Sequence, residues 1–227
     1  MLLALHQTNM GKKRLIRSEV YPYHVVVRSN NQEWFKINTA NIWKILSDYL
    51  YFVSKAYEIK IHAVVLMSNH FHMLVSTPNC NLDSAMNYLM RECSRVINYD
   101  SKRINHTFGG PYKWSLITSA NYYANALKYI YRNPVAVGAA KNVEVYPFST
   151  LHGLLGLSHL SIPIEPPIAD LTVTIPSDMH NYLIWLNTPY SKDSAEAISR
   201  GFRRDKFEFS ICRVKRRIPE ELSIPKK

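Results

Sequence analysis

The chain has 227 residues, of which 47% are hydrophobic and 20% are charged. This composition is typical of a globular protein and excludes a wholly disordered or collagen-like chain. Lys and Arg outnumber Asp and Glu by 28 to 17, and the resulting formal net charge of +11 favours a polyanionic partner such as nucleic acid.

Hydrophobic periodicity and turn signals predict four strands and three helices before residue 140. In chain order these are a strand at Tyr23–Arg28, a helix at Ala40–Tyr57, strands at Glu58–Met67 and His70–Ser76, a helix at Asn81–Tyr99, a strand at Tyr112–Ile117, and a helix that Thr118 or Ser119 caps and that runs to Arg132, with Pro134 stopping it soon after. The order β-α-β-β-α-β-α predicts an α+β fold with a ferredoxin-like antiparallel sheet and helices on one face.

Charge and proline content divide the chain into three parts. We expect a main domain at 12–150, a proline-interrupted connector at 151–191, and a small, basic, mainly helical C-terminal segment at 192–227. The connector contains no Lys or Arg, and the run at 162–167 carries three prolines that exclude a helix there.

The sequence indicates an intracellular protein. No apolar run approaches the roughly 20 residues that a membrane-spanning helix needs, and the apolar start at 1–5 is too short for the core of a signal peptide. Cys80, Cys93 and Cys212 lack metal-site spacing, so we expect free thiols in a reducing compartment. The prediction is therefore a cytoplasmic location with no membrane partner.

Two histidines fall on one side of the predicted third strand. Because strand side chains alternate between faces, His70 and His72 point one way, while Phe71 and Met73 point into the core. Two adjacent imidazoles can share one divalent cation, although such a pair on a strand is more often structural.

The last predicted helix offers partners for such a cation. Tyr129 and Asn133 are four residues apart, so they share a helical face if the last turn persists, with Asn125 on the same face and Arg132 beside it. A tyrosine hydroxyl can attack a phosphodiester when a metal polarises the phosphate oxygens. An asparagine oxygen can serve as a third ligand, and the expected metal is Mg²⁺ or Mn²⁺, with the histidines favouring Mn²⁺.

Two motifs in this order resemble a known family. Residues 63–75 contain an N-H-x-H strand, and residues 129–135 read Y-I-Y-R-N-P-V. Together with 23–28 and 145–150, they resemble the single-tyrosine HUH transposases, and most of all the REP-associated tyrosine transposases. The resemblance covers about residues 12–152.

This resemblance implies an HUH endonuclease fold that acts on single-stranded DNA, often beside a hairpin. It implies that Tyr129 is the nucleophile of a DNA nicking and joining reaction that forms a 5′-phosphotyrosine. It also implies that His70, His72 and Asn133 hold the metal.

Two stretches depart from the family pattern. Residues 108–113 lack its usual arginine, and residues 133–138 lack a basic residue between Val135 and Gly138. Both departures affect expected DNA contacts, and neither removes a residue of the expected active site.

A single DNA strand needs basic groups for its phosphates and aromatic faces for its bases. The expected DNA-binding residues are Lys12, Lys13, Arg14, Arg17, Arg28, Arg91, Arg95, Tyr112, Lys113 and Arg132. Trp114, Tyr122 and Tyr131 are further stacking candidates, although each ring could instead pack in the core. Tyr112 is also a second candidate nucleophile.

Three functions stay open at this point. The first is an active transposase on single-stranded or hairpin DNA. The second is a non-catalytic DNA-binding protein derived from a transposase. The third is a metal-dependent phosphoesterase that does not use Tyr129. The sequence leaves the choice between monomer and homodimer open.

Overall fold

The computed structural model describes residues 14–102, 104, 106–211 and 217–222. Its centre is a four-stranded sheet with the order β2-β3-β1-β4, in which every neighbouring pair is antiparallel. The strands are β1 (Tyr23–Arg28), β2 (Lys60–Leu66), β3 (His70–Ser76) and β4 (Lys113–Leu116). This order is that of two interleaved split βαβ units, which confirms the predicted ferredoxin-like α+β fold.

Six α-helices accompany the sheet in the described part of the chain. They are α1 (Thr39–Ala56), α2 (Leu82–Ser101), α3 (Ala120–Ala136), α4 (Thr150–Leu154), α5 (Met179–Asn187) and α6 (Lys192–Gly201). The Asn38 side chain accepts from the Ala40 amide, and the Ser119 hydroxyl accepts from the Tyr122 amide. These caps fix where α1 and α3 begin, as the sequence predicted.

One face of the sheet is a fully apolar layer under α1 and α2. Alternate positions of the strands point into it, so it forms the larger hydrophobic core. Its strand residues include Tyr23, Val25, Val27, Phe71, Met73, Val75, Trp114 and Leu116, and its helix residues include Ile42, Leu46, Leu50, Val53, Leu82, Met86 and Leu89.

The opposite face of the sheet carries α3, which packs across β2 and β3. The sequence predicted helices on one face of the sheet. That prediction holds for α1 and α2, but α3 lies on the opposite face. The reason lies in β2, whose run Ala63–Leu66 is apolar at every position and is buried on both sides. Ala63 and Val65 pack in the α3 core, and Val64 and Leu66 pack in the α1 and α2 core.

The end of α3 differs from the prediction. The helix runs through the buried Pro134 to Ala136 instead of ending near Arg132. A proline in the last turn removes one backbone hydrogen bond, and here the packed surroundings of the helix outweigh that cost. As a result Asn133 is helical and stands one turn beyond Tyr129.

The described parts of the C-terminal region pack onto the α3 side of the molecule. Both α5 and α6 contact α3. Beyond α6, the Leu116 amide donates to the Asp205 carbonyl and the Phe207 amide donates to the Leu116 carbonyl, which extends the sheet at β4. The described parts of this region therefore belong to the second core, and α6 is the α-helix among the described residues of the predicted C-terminal segment.

No helix among the described residues has the length and apolar character needed to cross a membrane. The cytoplasmic location stays a prediction.

Candidate active site

Polar side chains gather on the α3 face at one end of the sheet. The register pairs Arg28 with His70, and it pairs Val26 with both His72 and Lys113. Because side chains alternate along each strand, these five residues all lie on the α3 face. The structure thus places the two predicted metal ligands on the same face as two basic residues, Arg28 on the neighbouring strand β1 and Lys113 on β4 beyond it.

His70 is held by the turn that precedes its strand. Its Nδ1 lies 2.6 Å from Oδ1 of Asn69, and the Asn69 amide nitrogen donates to the Gln32 carbonyl at 2.7 Å. This second bond fixes the amide orientation, so Nδ1 of His70 carries the proton and Nε2 keeps its lone pair. Burial, aided by the Arg28 charge, lowers the pKa of His70 to about 4, which leaves a neutral imidazole at neutral pH.

His72 is held by a second buried histidine, His24 on β1. Nδ1 of His72 lies 3.0 Å from Nε2 of His24, and the two side chains are 5% and 2% exposed. Burial lowers the pKa of His24 to about 3. Burial also lowers the pKa of His72 well below its ordinary value, with nearby His24, His70 and Arg28 adding to the effect. Both rings are therefore neutral, which is the form that binds metals.

Tyr129 projects from α3 against this pair. Its ring lies edge-on to His72, with centroids 6.1 Å apart, and it also contacts His24 at 6.5 Å and Phe202 at 5.1 Å. The side chain is half-buried. The predicted nucleophile therefore sits beside a predicted metal ligand, with its ring bounded by aromatic neighbours.

The direction of α3 places Asn133 toward His70. Near the start of the helix Tyr123 contacts His62, whose Nε2 lies 2.8 Å from the hydroxyl of Ser76 at the far end of β3. Six residues on, Tyr129 reaches His72. The next turn, with Asn133, continues toward the His70 end of the strand.

The Asn133 amide supports a polar ligand at this place. Its nitrogen is buried and has no hydrogen-bond partner in the structure. An orphaned buried amide is costly, and a half-turn of the group exchanges its nitrogen and oxygen. Two neutral imidazoles and one unsatisfied amide are a donor set that suits Mn²⁺ or Mg²⁺ with further oxygen ligands. Within the described ranges, no three His, Cys, Asp or Glu side chains cluster as a metal site.

Most of the other expected DNA-binding arginines are engaged with carboxylates. Arg17 forms a two-pronged ion pair with Asp83, whose closest N–O distance is 2.7 Å. Arg91 and Arg95 both pair with Glu92, at 3.0 and 2.9 Å. Arg14 is exposed. Lys12 and Lys13 lie outside the described residues. The register places Arg28 beside His70, and Lys113 lies on the same face one strand further away.

Arg132 has a different role from the one expected. It is buried, and its guanidinium donates to the carbonyls of Leu186, at 3.0 Å, and of Asn187. These are carbonyls at the C-terminal end of α5, where an arginine satisfies backbone acceptors that the helix leaves unpaired. This placement argues against its expected role in DNA binding, because its charge is committed to holding α5 on α3.

Tyr112 lies on the wrong side of the sheet for a second nucleophile. It packs against the core under α1 and α2, on the face opposite Lys113. Burial, with the nearby Asp83 carboxylate, raises the pKa of Tyr112 to about 12. This placement argues against both of its expected roles at the site.

The expected stacking residues are packed in the two cores, and an unforeseen one is exposed. Trp114 and Tyr131 are buried, and Tyr122 packs edge-on against Phe207 and Phe209. Trp34 is 75% exposed in the loop after β1. That loop is bound to the turn before His70, since the Phe35 amide donates to the Ser68 carbonyl at 3.1 Å.

Sequence reasoning missed Trp34 and His24. His24 shares strand parity with Arg28, but only the register reveals that it meets His72. Trp34 gave no periodic signal, because it stands in an irregular loop.

A family model described as IS200-like transposases matches residues 18–133, just over half of the chain. The chain belongs to the IS200-like transposase family. The matched segment contains His70, His72, Tyr129 and Asn133, and the match confirms the resemblance found in the sequence.

Two solved transposase structures are similar to this chain, and the first shares its fold. A REP-associated tyrosine transposase bound to a REP hairpin superposes with a TM-score of 0.54 at 21% identity, covering 71% of this chain and 94% of the other. A putative transposase from Deinococcus radiodurans R1 gives a TM-score of 0.37 at 15% identity, covering 54% and 95%. No curated protein matches the chain.

Proposed function

We propose that this transposase is a metal-dependent endonuclease and strand transferase of single-stranded DNA, and that it forms a 5′-phosphotyrosine at Tyr129. One observation carries the proposal. In a member of the transposase family, Tyr129 on α3 contacts His72 on the same sheet face that presents His70.

His70, His72 and Asn133 would hold the divalent ion. When bound, a Mg²⁺ or Mn²⁺ ion there polarises the non-bridging oxygens of a DNA phosphate. The protein prepares for this by keeping both imidazoles neutral through burial. It also engages each Nδ1 in a hydrogen bond, so that each Nε2 faces the ligand.

The chemistry of Tyr129 is a reversible phosphoryl transfer. Its hydroxyl oxygen bonds to phosphorus and gives up its proton, while the bond from phosphorus to the 3′ oxygen breaks and that oxygen takes up a proton. The products are a 5′-phosphotyrosine and a free 3′-OH. Because a phenol with a pKa near 10 leaves more readily than an alkyl alcohol, another 3′-OH can reverse the step without an energy source.

Other side chains on this face would bind and orient the strand. Arg28 and Lys113 lie on β1 and β4, on the same face as the histidines, and can bind phosphates of a strand that runs across this side of the sheet. Trp34 offers an exposed ring on which an unpaired base can stack. Phe202 and His24 confine the Tyr129 ring, which limits the orientations that its hydroxyl samples.

The substrate class that we propose is a hairpin-forming repeat with an adjoining single strand. The REP-associated transposase with the same fold was solved with a REP hairpin. A net charge of +11 suits such a partner.

The test is a cleavage assay on labelled hairpin DNA from the repeats that flank the gene, with Mn²⁺ or Mg²⁺, resolved on a denaturing gel. Wild type should give a protein-linked DNA band, and Tyr129→Phe should give none. Tyr122→Phe is the matched control, because it removes a hydroxyl from the same helix outside the site, and it should keep the band. Cleavage that persists in Tyr129→Phe would indicate a different phosphoesterase. Tight binding without cleavage of any repeat would indicate a non-catalytic DNA-binding protein.

A further inference from the structure

His24 is a buried polar side chain that neither binds the metal nor transfers a proton in the cleavage chemistry proposed above. It points from β1 into the α3 face, next to Tyr129 and Phe202, and its ring centroid is 3.8 Å from that of Phe202. We propose that His24 is a positioning residue that fixes the tautomer of His72 and thereby aims Nε2 of His72 at the divalent ion. This inference rests on the proposed function.

The geometry of the histidine pair is that of a strong in-plane hydrogen bond. The two planes differ by only 14°, and the ring centroids are 5.2 Å apart. That separation matches the 3.0 Å contact between nitrogens plus one ring radius on each side. The rings therefore meet edge to edge and nearly in one plane, so the shared hydrogen lies on the line between the two nitrogens.

The bond has only one direction that is compatible with metal binding. Two neutral imidazoles share one hydrogen, so one nitrogen donates and the other accepts. If Nδ1 of His72 accepts, its Nε2 carries a hydrogen and cannot bind a cation. If Nδ1 of His72 donates, Nε2 keeps its lone pair. His24 must then accept at Nε2 and carry its own hydrogen on Nδ1.

The surroundings of His24 keep its ring in place for this role. Ser115 is its cross-strand partner on β4, and the Ser115 hydroxyl is buried without a hydrogen-bond partner in the structure. As the cross-strand partner of His24, Ser115 lies on the same face of the sheet as the His24 ring. Phe202 covers the ring from the α6 side.

The two expected metal ligands are therefore oriented in parallel ways. Asn69 accepts from Nδ1 of His70, and His24 accepts from Nδ1 of His72. Such outer partners of ligating histidines fix the tautomer and raise ligand basicity, and their loss lowers metal affinity by about 10–100-fold.

The experiment compares Mn²⁺ binding, without DNA, in wild type and three variants. His24→Phe fills the space but removes the acceptor, and it should weaken Mn²⁺ binding by about 10–100-fold. His24→Gln restores an acceptor at the position of Nε2 and should recover most of the affinity. His62→Phe removes a buried histidine at the far end of the same face, and it should leave the affinity unchanged. Wild-type affinity in His24→Phe would overturn the proposal.

Two spectroscopic readouts separate this role from others. Pulsed EPR on bound Mn²⁺ should detect two imidazole nitrogens in both wild type and His24→Gln. Three imidazole nitrogens in wild type and two in His24→Gln would show that His24 is itself a metal ligand, and would overturn the proposal. In metal-free protein, nitrogen NMR should find His72 protonated on Nδ1, and protonation on Nε2 would also overturn it.

Failure of the metal site itself gives a different pattern. Wild-type protein that binds no Mn²⁺, or that binds it equally well in His70→Ala, would contradict the proposed function and remove the basis of the His24 role with it. Wild-type binding that depends on His70 but not on His24 would contradict only the present inference.

Discussion

The two faces of the sheet use the same strands for different purposes. Under α1 and α2, the odd-numbered positions of β1 and β3 are apolar and fully packed. Under α3, the even-numbered positions carry His24, Arg28, His70 and His72 among apolar neighbours. The first face supplies stability, and its rigidity holds the side chains of the second face in place.

Two buried histidines on the α3 face, His62 and His72, differ in how many of their ring nitrogens are bonded within the protein. Nδ1 of His62 donates to the Glu165 carbonyl at 2.6 Å, and Nε2 accepts from the Ser76 hydroxyl at 2.8 Å, so both nitrogens are used within the protein. His72 has one such bond, to His24, and keeps Nε2 for a ligand. His62 is therefore held entirely by bonds within the protein, whereas His72 keeps one nitrogen for the proposed ion.

The largest difference between the faces should appear in adjacent residues of β3. His72→Ala removes a proposed metal ligand, and because a Lewis acid contributes several kcal/mol to such a reaction, cleavage should fall by at least about 100-fold. The free energy of unfolding of this variant should fall by less than the rise in activation free energy that the loss of cleavage represents. Cleavage assays and urea denaturation on the same samples measure both.

Met73→Ala is the matched variant for the other face. Met73 is completely buried in the larger core, so its truncation should cost about 2–5 kcal/mol of unfolding free energy. The folded fraction should still cleave DNA. The comparison of faces is wrong if Met73→Ala loses activity as completely as His72→Ala while still folded.

A smaller effect should appear in the acid stability of the metal-free protein. Burial lowers the pKa of His62 to about 4, with its hydrogen bond to Glu165 opposing the shift and Lys60 adding to it. A lowered folded pKa means that the unfolded chain binds the proton first, so the stabilisation is complete above about pH 6.5 and is lost as pH falls toward 4.

This histidine should therefore contribute a slope of up to about 1.4 kcal/mol per pH unit between those limits. Urea denaturation between pH 7 and pH 5 should show a shallower pH dependence in His62→Phe than in wild type. Equal slopes would mean that the pKa of His62 is the same in the folded and unfolded states, which would contradict its burial in the structure.

The smallest effect concerns phosphate contacts. Arg28→Gln should weaken binding of hairpin DNA and reduce the slope of log affinity against log salt by about 0.7, the share of one phosphate on a single strand. Arg91→Gln is the matched control, because Arg91 is exposed and paired with Glu92. Binding titrations at several salt concentrations measure both. A larger change in Arg91→Gln would mean that the DNA binds on the α1 and α2 side of the molecule instead of the α3 face.

Local sequence patterns correctly predicted much of the secondary structure. The observed bounds of β1 and β3 are those predicted, because β-branched runs ended by turn residues leave few alternatives. Alternation alone placed His70 and His72 on one face, and helical spacing placed Tyr129 with Asn133.

What the sequence could not provide depends on contacts between distant residues. Arg132 donates to carbonyls 54 and 55 positions away in the sequence. Because local patterns do not show such distant partners, its basic side chain was expected to be available for DNA. The pairing of His24 with His72 spans 48 positions and requires the strand register. The helical continuation through Pro134 depends on the packing around α3, which overrides the local cost of proline.

The measurement that tests the central claim most directly is peptide mapping of the covalent adduct by mass spectrometry. Trypsin cuts after Lys128 and Arg132, and the fragment between them carries both Tyr129 and Tyr131. Fragmentation should place the 5′-phosphate remnant on Tyr129, since Tyr131 is buried and bonded to Thr150. A remnant on any other residue, or no adduct with any flanking repeat in the presence of Mn²⁺, would contradict the account.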